Sequence, residues 1–363
     1  MADPVRCRWL LHIDLDQFQV SVERRRRPEL TGVEVIVGGD GDPSKARQVV
    51  TCASYEARAR GVRAGMPLRA AYKKSPDVMY LPLDMELYEA ASAEVWQAVR
   101  DAGPLVEVWG WDEGYVGLGA EGDDAPSQDE AAAFAETLRL EVRTRTGLDS
   151  CLGVSDNKQR AKAAAGFAKK AAREPGSTGA DRVFVLTDAN WYALMGERPA
   201  RDLWSVGSRT AAELAAHGAD TVNQLVAVDR DELGALFGPH QGDWLYVLAR
   251  GGGDDTITVE RPPAKSHSKS RTFERDLTEP AELHAAAAEL AREVLAQVVD
   301  EGRQAVRVGV AVRTSTFFTR TKMRKLRAAS TSFGDVSPVV DALLDAFQID
   351  RPVRLLAVRL ELD

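Results

Sequence analysis

A chain of 363 residues is too long for one ordinary core and calls for two or more domains; 44% hydrophobic and 28% charged residues is a globular composition. No stretch approaches the ~20 apolar residues of a membrane span, and three scattered cysteines without metal-ligand or disulfide spacing suit a reducing cytoplasm. The net charge of −8, with acids gathered over 121–130 and 229–232, speaks against a polyanion partner for the whole surface, yet six Lys or Arg residues and no acid lie between Arg313 and Arg327.

In chain order, an apolar run, Trp9-Leu10-Leu11, leads into Asp14 and Asp16, and a pattern of helical character follows. A buried strand ending at Asp14 is expected, with Asp16 at the N-cap of the next helix. Taken alone, two such acids more often cap and solvate the turn. They also interrupt the only early apolar run, so no signal peptide reads there. Arg24 to Arg27 close the helix before Pro28, where the helix dipole favours cations. Strands are expected over 33–37 and 48–52, with a Gly- and Asp-rich turn at 38–43 between them, and a short helix begins at Tyr55.

Residues 86–99 read as a helix. Two apolar segments then flank Asp112-Glu113, a β-hairpin over 106–118 with the acids at or near its tip. Packed beside the first strand, this hairpin would bring Asp14, Asp112 and Glu113 together. Three carboxylates on adjacent strands suit two Mg²⁺ ions, which prefer a few carboxylates plus phosphate and water. Two such ions ~4 Å apart can activate an attacking hydroxyl and neutralise a leaving pyrophosphate.

A helix over 130–146 and a buried strand over 151–154 precede a basic helix carrying Lys158, Lys162, Lys169 and Lys170. Lys158 and Lys162, four apart, share a face. No Gly-x-Gly-x-x-Gly follows a strand and no Walker sequence occurs, so the alternation points to an α/β sandwich of another kind. Residues 171–245 are helical and short-looped, and Thr221 to Gln224 has the form of a capping box. A Gly-, Asp- and Pro-rich stretch near 250–264 reads as a linker. Beyond it a strand (265–273), a helix (281–299), two strands (305–313 and 317–325), a helix (335–347) and a strand (353–362) follow. Bases there interleave with Ser and Thr, which suits straddling a duplex backbone without reading its sequence.

Asp-x-Asp-x-Phe-x-x-x-Val-Glu over 14–23, Tyr55-Glu56-Ala57-Arg58 running on to Gly65-Met66-Pro67, Asp112-Glu113-Gly114-Tyr115 and Gly153-Val154-Ser155-Asp156-Asn157-Lys158 stand in one family's order and spacing. The chain resembles the Y-family DNA polymerases of the DinB or polymerase IV type over nearly its whole length. The resemblance implies a multidomain α+β right hand. Its parts would be an α/β palm (1–23 and 81–170), small fingers (24–80), a helical thumb (171–248) with a helix-hairpin-helix over 203–214, a linker (249–264) and a β-α-β-β-α-β little finger (265–363). It also implies low-fidelity, translesion synthesis on primer-template DNA. Asp14, Asp112 and Glu113 would be the catalytic acids, holding two Mg²⁺ ions (Mn²⁺ as a substitute) with the Leu15 carbonyl as an extra ligand. Phe18, Gln19, Cys52, Tyr55, Arg58 and Lys158 would meet the nucleotide. Lys162, Gly207, Arg313, Arg320, Lys322, Arg324 and Lys325 would meet DNA.

This chain departs from the family at named places. Cys52 stands where Thr is common, Ser205 replaces the first glycine of the hairpin turn, and Gly110 and Gly114 stand for Ser and Ala. The sharpest departure is Gln19, five residues after Asp14, at the steric gate that is normally Tyr or Phe. Without a ring under the sugar, and with an amide available to a 2′-hydroxyl, ribonucleotides are expected to be accepted beside dNTPs. The last strand runs to the final residues, so no C-terminal sliding-clamp peptide is expected; a cytoplasmic location is expected from the cysteines, and a monomer besides. The departures also suit a catalytically silent DNA-binding paralogue that regulates primer ends, and a palm-fold nucleotidyl cyclase is a weaker alternative. Survival of all three carboxylates argues against the first, and the linker and basic final domain against the second.

Overall fold

The computed structural model describes residues 3–103, 105–120 and 124–363, so Glu121 and Asp123 of the acidic stretch lie outside it. The chain divides into two units, one of residues up to 42, 50–66 and 70–261, the other of residues 43–49, 67–69 and 262–363. In chain order the elements are β1 (Val5–Leu15), α1 (Phe18–Arg26), β2 (Val35–Val37), β3 (Cys52–Ala53), α2 (Tyr55–Ala59), α3 (Leu68–Lys74), β4 (Met79–Leu81) and α4 (Met85–Asp101). Next come β5 (Leu105–Val108), β6 (Glu113–Ala120), α5 (Gln128–Thr146), β7 (Ser150–Ser155), α6 (Lys158–Ala171), β8 (Val183–Val185) and α7 (Asp188–Met195). The remainder are α8 (Ser208–Ala216), α9 (Val222–Ala227), α10 (Arg230–Phe237), α11 (Pro239–Ala249), β9 (Thr256–Ile257), β10 (Ser266–Leu277), α12 (Pro280–Asp300), β11 (Ala305–Thr314), β12 (Thr319–Ser330), α13 (Phe333–Asp345) and β13 (Val353–Leu362). The strand expected over 48–52 shrinks to two residues of β3. Among the described residues no helix is long and apolar enough to cross a membrane.

In the first unit β1 lies inside a sheet ordered β5-β6-β1-β7-β8. Both faces of β1 are covered, so it reads as a continuous apolar run rather than an alternation. Leu11, Ile13 and Leu15 enter the core formed with α4 and α5, where Tyr88, Val95, Trp96, Leu138 and Val142 are buried. His12 and Asp14 alternate onto the opposite face, toward α6. That helix lies unusually close to β7: a Cβ on Gly153 would collide with the Ala161 carbonyl oxygen and the Ala165 nitrogen. Only glycine permits the approach. Asn157 caps α6 by accepting from the Arg160 N–H at 2.9 Å.

Helices α7 to α11 enclose a separate core around Trp191, Leu214, Leu225, Leu233 and Leu248. Ser205, before α8, adopts φ 71, a left-handed conformation that suits the glycine it replaces. Its hydroxyl offsets part of that cost by accepting from Trp244 Nε1 at 2.9 Å. The stretch expected as a linker is partly anchored: Thr256 and Ile257 of β9 pair with Arg6 and Val5.

The second unit is a four-stranded antiparallel sheet, β10-β13-β11-β12, with the apolar residues of α12 and α13 sharing its core. Strand alternation sorts its bases. In β12, Leu326 is buried in that core, so Arg320, Lys322 and Arg324 fall on its side of the pleat. Arg320 and Lys322 donate to the Gln348 and Ala346 carbonyls at 2.6 and 2.5 Å, neutralising the C-terminal end of α13. Both expected DNA contacts are thus engaged with the chain's own carbonyls in this structure. The pleat puts Arg313 and Lys325 on the opposite face, with Arg307 opposite Lys325 and Arg359 opposite Gly309 in register.

His284 bridges α12 to α13, with Nδ1 2.8 Å from Asp341 and Nε2 2.9 Å from Asp345. The bond to Asp341, then that to Asp345, raises its pKa. A raised folded-state pKa stabilises below about 6.5, the unfolded value, and the gain is lost as pH rises through the folded value. His284→Gln is therefore expected to lower the thermal midpoint at pH 6 and to match the parent at pH 9. A deficit of equal size at both values would assign His284 to packing alone.

Candidate active site

Three carboxylates meet at one end of the central strands. Asp14 pairs with Glu113 across β1 and β6, and Asp112 stands in the loop just before β6. The Asp112 carbonyl accepts from the Leu15 N–H at 2.8 Å, which ties the hairpin tip to the end of β1. Burial raises the Asp112 pKa, and the charges of Asp14 and Glu113 add to it. Glu113 behaves oppositely: a hydrogen bond with His12 and an ion pair with Lys162 bring it down to about 2. Burial lowers the pKa of His12 itself, and its Nδ1 finds no partner among the described residues.

Gly114 has a local cause. A Cβ there would come within 2.6 Å of the Trp96 ring and 2.8 Å of the Glu107 carbonyl oxygen. The indole occupies the space an alanine would need.

Cations from α6 answer the acids. Lys162 pairs with Glu113, and Lys169 Nζ lies 2.5 Å from Asp14 Oδ1 and 3.4 Å from the Leu15 carbonyl oxygen. Seven residues separate these lysines, two helical turns on one face. Among the described residues no three acidic, His or Cys groups converge at metal-binding distance. The ammonium of Lys169 instead sits between two hard oxygens of the kind a Mg²⁺ ion takes.

Lys158 is not in this cluster. It is 3% exposed, 2.8 Å from Glu107 and 2.9 Å from Asp254, with Trp109 and Tyr115 beside it. A helix rises 1.5 Å per residue, so Lys158 lies about 16 Å along α6 from Lys169. The expectation that Lys158 grips a nucleotide is corrected: it is a buried structural cation, and Lys169 occupies the acidic end. Shared helical face misled, because face says nothing about position along the axis.

The other expected nucleotide contacts gather around α1 and α2. Phe18 is buried and packs edge-on to Tyr88. Gln19 is partly exposed, and its Oε1 accepts from the Thr51 hydroxyl at 2.7 Å. Cys52 lies 4.0 Å from an Arg58 nitrogen, and Arg58 Nε donates to the Ala53 carbonyl at 2.8 Å. Tyr55 donates its hydroxyl to Asp16 at 2.8 Å, and the Arg173 guanidinium stands 4.1 Å from its ring centroid. Asp16 also pairs with Arg182. It is therefore not the helix N-cap expected from the sequence. That position falls to Gln17, left-handed at φ 39, whose side-chain oxygen accepts from the Tyr55 N–H at 2.8 Å. Gly207 is the N-cap of α8, with open space above it.

Sequence reasoning missed Thr51, Lys169, Arg173 and Arg182. The seven-residue spacing from Lys162 to Lys169 was the one available signal; the others depend on long-range packing.

Residues 13–166 match the impB/mucB/samB family and residues 264–361 its C-terminal domain. The chain is 49% identical to DNA polymerase IV 2 of Mycobacterium tuberculosis, covering 98% of both sequences. It is 34% identical to DNA polymerase IV of Methanoculleus marisnigri, covering 98% of this chain and 94% of that one. A Y-family DNA polymerase chimera of Dbh and Dpo4 has the same fold, with a TM-score of 0.82 at 22% identity over 97% of this chain and 98% of that one.

The two lysines are separable by melting. Lys158→Met strands Glu107 and Asp254, and should lower the thermal midpoint by about 4–8 °C, for roughly 2 kcal/mol, with or without Mg²⁺. Lys169→Met should lower it in the absence of Mg²⁺ and recover in millimolar Mg²⁺, as a second cation takes over the charge of Asp14. An equal response of both variants to Mg²⁺ would remove the distinction.

Proposed function

We propose that this chain, which belongs to the DinB-type Y family of translesion DNA polymerases, performs template-directed nucleotidyl transfer at Asp14, Asp112 and Glu113. Its enzyme class, DNA-directed DNA polymerase, follows from that membership. The reading of this cluster as the reaction centre is carried by one observation, the Lys169 ammonium seated between the Asp14 carboxylate and the Leu15 carbonyl. Oxygens that hold one cation this way, with Asp112 and Glu113 beside them, are a donor set fit for two Mg²⁺ ions. When bound, the ions would activate the primer 3′-hydroxyl and neutralise the leaving pyrophosphate.

The chain's own residues position and neutralise. Lys169, once displaced from Asp14, is free to meet a phosphate of the incoming nucleotide. Arg58 and Arg173, both beside the Tyr55 ring, offer guanidinium forks matched to phosphate oxygens. Lys162 holds Glu113 ionised. Cys52 brings no hydroxyl to the triphosphate.

Sugar selection rests on Gln19. Thr51 engages its carbonyl oxygen, which leaves the amide N–H groups to donate to the oxygen of a 2′-hydroxyl. No aromatic ring stands at this position to exclude that hydroxyl. The substrate range is therefore dNTPs and rNTPs on primer-template DNA.

Asp112→Ala is expected to abolish primer extension while primer-template affinity stays within a few-fold. Extension at near the parent rate would end the assignment of the acids. Gln19→Phe should raise the kcat/KM preference for each dNTP over its rNTP by roughly 10²–10³, or about 3–4 kcal/mol. Thr51→Val, which frees the amide, should raise KM for rNTPs with little change for dNTPs. A parent enzyme that already rejects rNTPs a thousandfold, unaltered by Phe at 19, would overturn this account of the gate.

A further inference from the structure

The tip between β11 and β12 departs from ordinary surface construction in two ways. Phe317 and Phe318 stand side by side there, each 63% exposed. Phe317 also adopts φ 64, a left-handed conformation that hairpin turns usually give to Gly or Asn. The turn is not loosely held: Phe317 N–H donates to Thr314 O at 2.9 Å, Thr314 N–H to Phe318 O at 3.0 Å, and Ser315 N–H to Pro352 O at 2.9 Å. A well-tied turn that keeps a strained, exposed aromatic pair points to a use for the rings.

The surroundings indicate which use. The Arg354 guanidinium stands 4.5 Å from the Phe317 ring centroid and covers part of that ring. Phe318 borders a pocket of about 350 Å³ lined also by Thr314, Thr316, Gln348 and Arg351, with one acid, Asp350; Arg320, at its edge, donates to the Gln348 carbonyl and leaves Arg351 as the cation facing the space. Rings open to solvent beside guanidinium and hydroxyl groups match an unpaired nucleotide, whose base stacks while its phosphate meets the cations. A duplex keeps its bases inside and cannot use the rings. A second copy of this chain would bring the same arginines against these and repel them.

We propose that the Phe317–Phe318 tip is a stacking platform for unpaired bases of single-stranded DNA. This rests on the polymerase reading, in which the template beyond the primer end is the unpaired strand.

The test uses the full-length protein and fluorescence anisotropy with labelled oligo(dT), an abasic oligonucleotide of the same length, and a blunt duplex. The variant is Phe317→Gly with Phe318→Ser, which also relieves the left-handed strain and so favours folding. Loss of stacking should weaken oligo(dT) binding tenfold or more, leave its salt dependence unchanged, and alter duplex binding less than twofold. The parent protein should bind the abasic strand as weakly as the variant binds oligo(dT). Unchanged oligo(dT) affinity overturns the inference, as does an equal loss on duplex. Self-association abolished in the variant with oligo(dT) affinity intact overturns it too, by making the tip a contact between copies. Primer extension by the parent protein decides the polymerase reading separately, since neither base stacking nor its absence alters that result.

Discussion

Three carboxylates crowded at the end of β1 and β6 are the constraint on which the first unit depends. Like charges placed together repel, and nearby cations offset that repulsion. Helix α6 supplies them at a spacing of two turns, through Lys162 and Lys169. That arrangement requires α6 to lie against the sheet, and Gly153 is what lets it approach. The unusual proton affinities follow from the same geometry: Asp112, buried between two other acids, is raised, and Glu113, beside His12 and Lys162, is depressed.

Basic residues in this protein fall into two groups that composition does not distinguish. Lys158, Arg320 and Lys322 are committed to carboxylates or helix-end carbonyls, and Arg271 to Glu289 and Glu293 of α12. Arg313, Lys325, Arg307 and Arg359 share the other face of the second unit's sheet, among the small polar side chains of Ser268, Ser270 and Thr272. A net charge of −8 is therefore a poor guide to partners, because sheet alternation sorts the bases by face; on this one Arg307 pairs with Glu361 and Arg313 donates to Thr319.

Left-handed residues other than glycine mark places where the chain is held against its preference. At Gln17 the side-chain oxygen accepts a hydrogen bond from the Tyr55 N–H, and at Ser205 the hydroxyl accepts one from Trp244. Both turn a backbone cost into a tether between distant segments. Phe317 has no polar side chain with which to do so, and its ring meets Arg354 and solvent.

Much of this molecule was legible in the residues alone. The strand at Asp14, the acidic hairpin, the order of elements in the second unit and the cross-strand pairing of Asp14 with Glu113 all follow from local patterning and motif spacing. Those signals are short-ranged, as are the forces that make a strand or a turn. What the sequence left undecided was which charged group faces which. Lys158 and Lys169 are both lysines on one helix face, yet the direction in which α6 crosses the sheet puts one against Glu107 and the other against Asp14. The partners of Asp16, Gln17 and Gln19 lie more than thirty residues away along the chain. Only the packing of separate elements brings them within hydrogen-bond range, and a one-dimensional pattern holds no record of that distance.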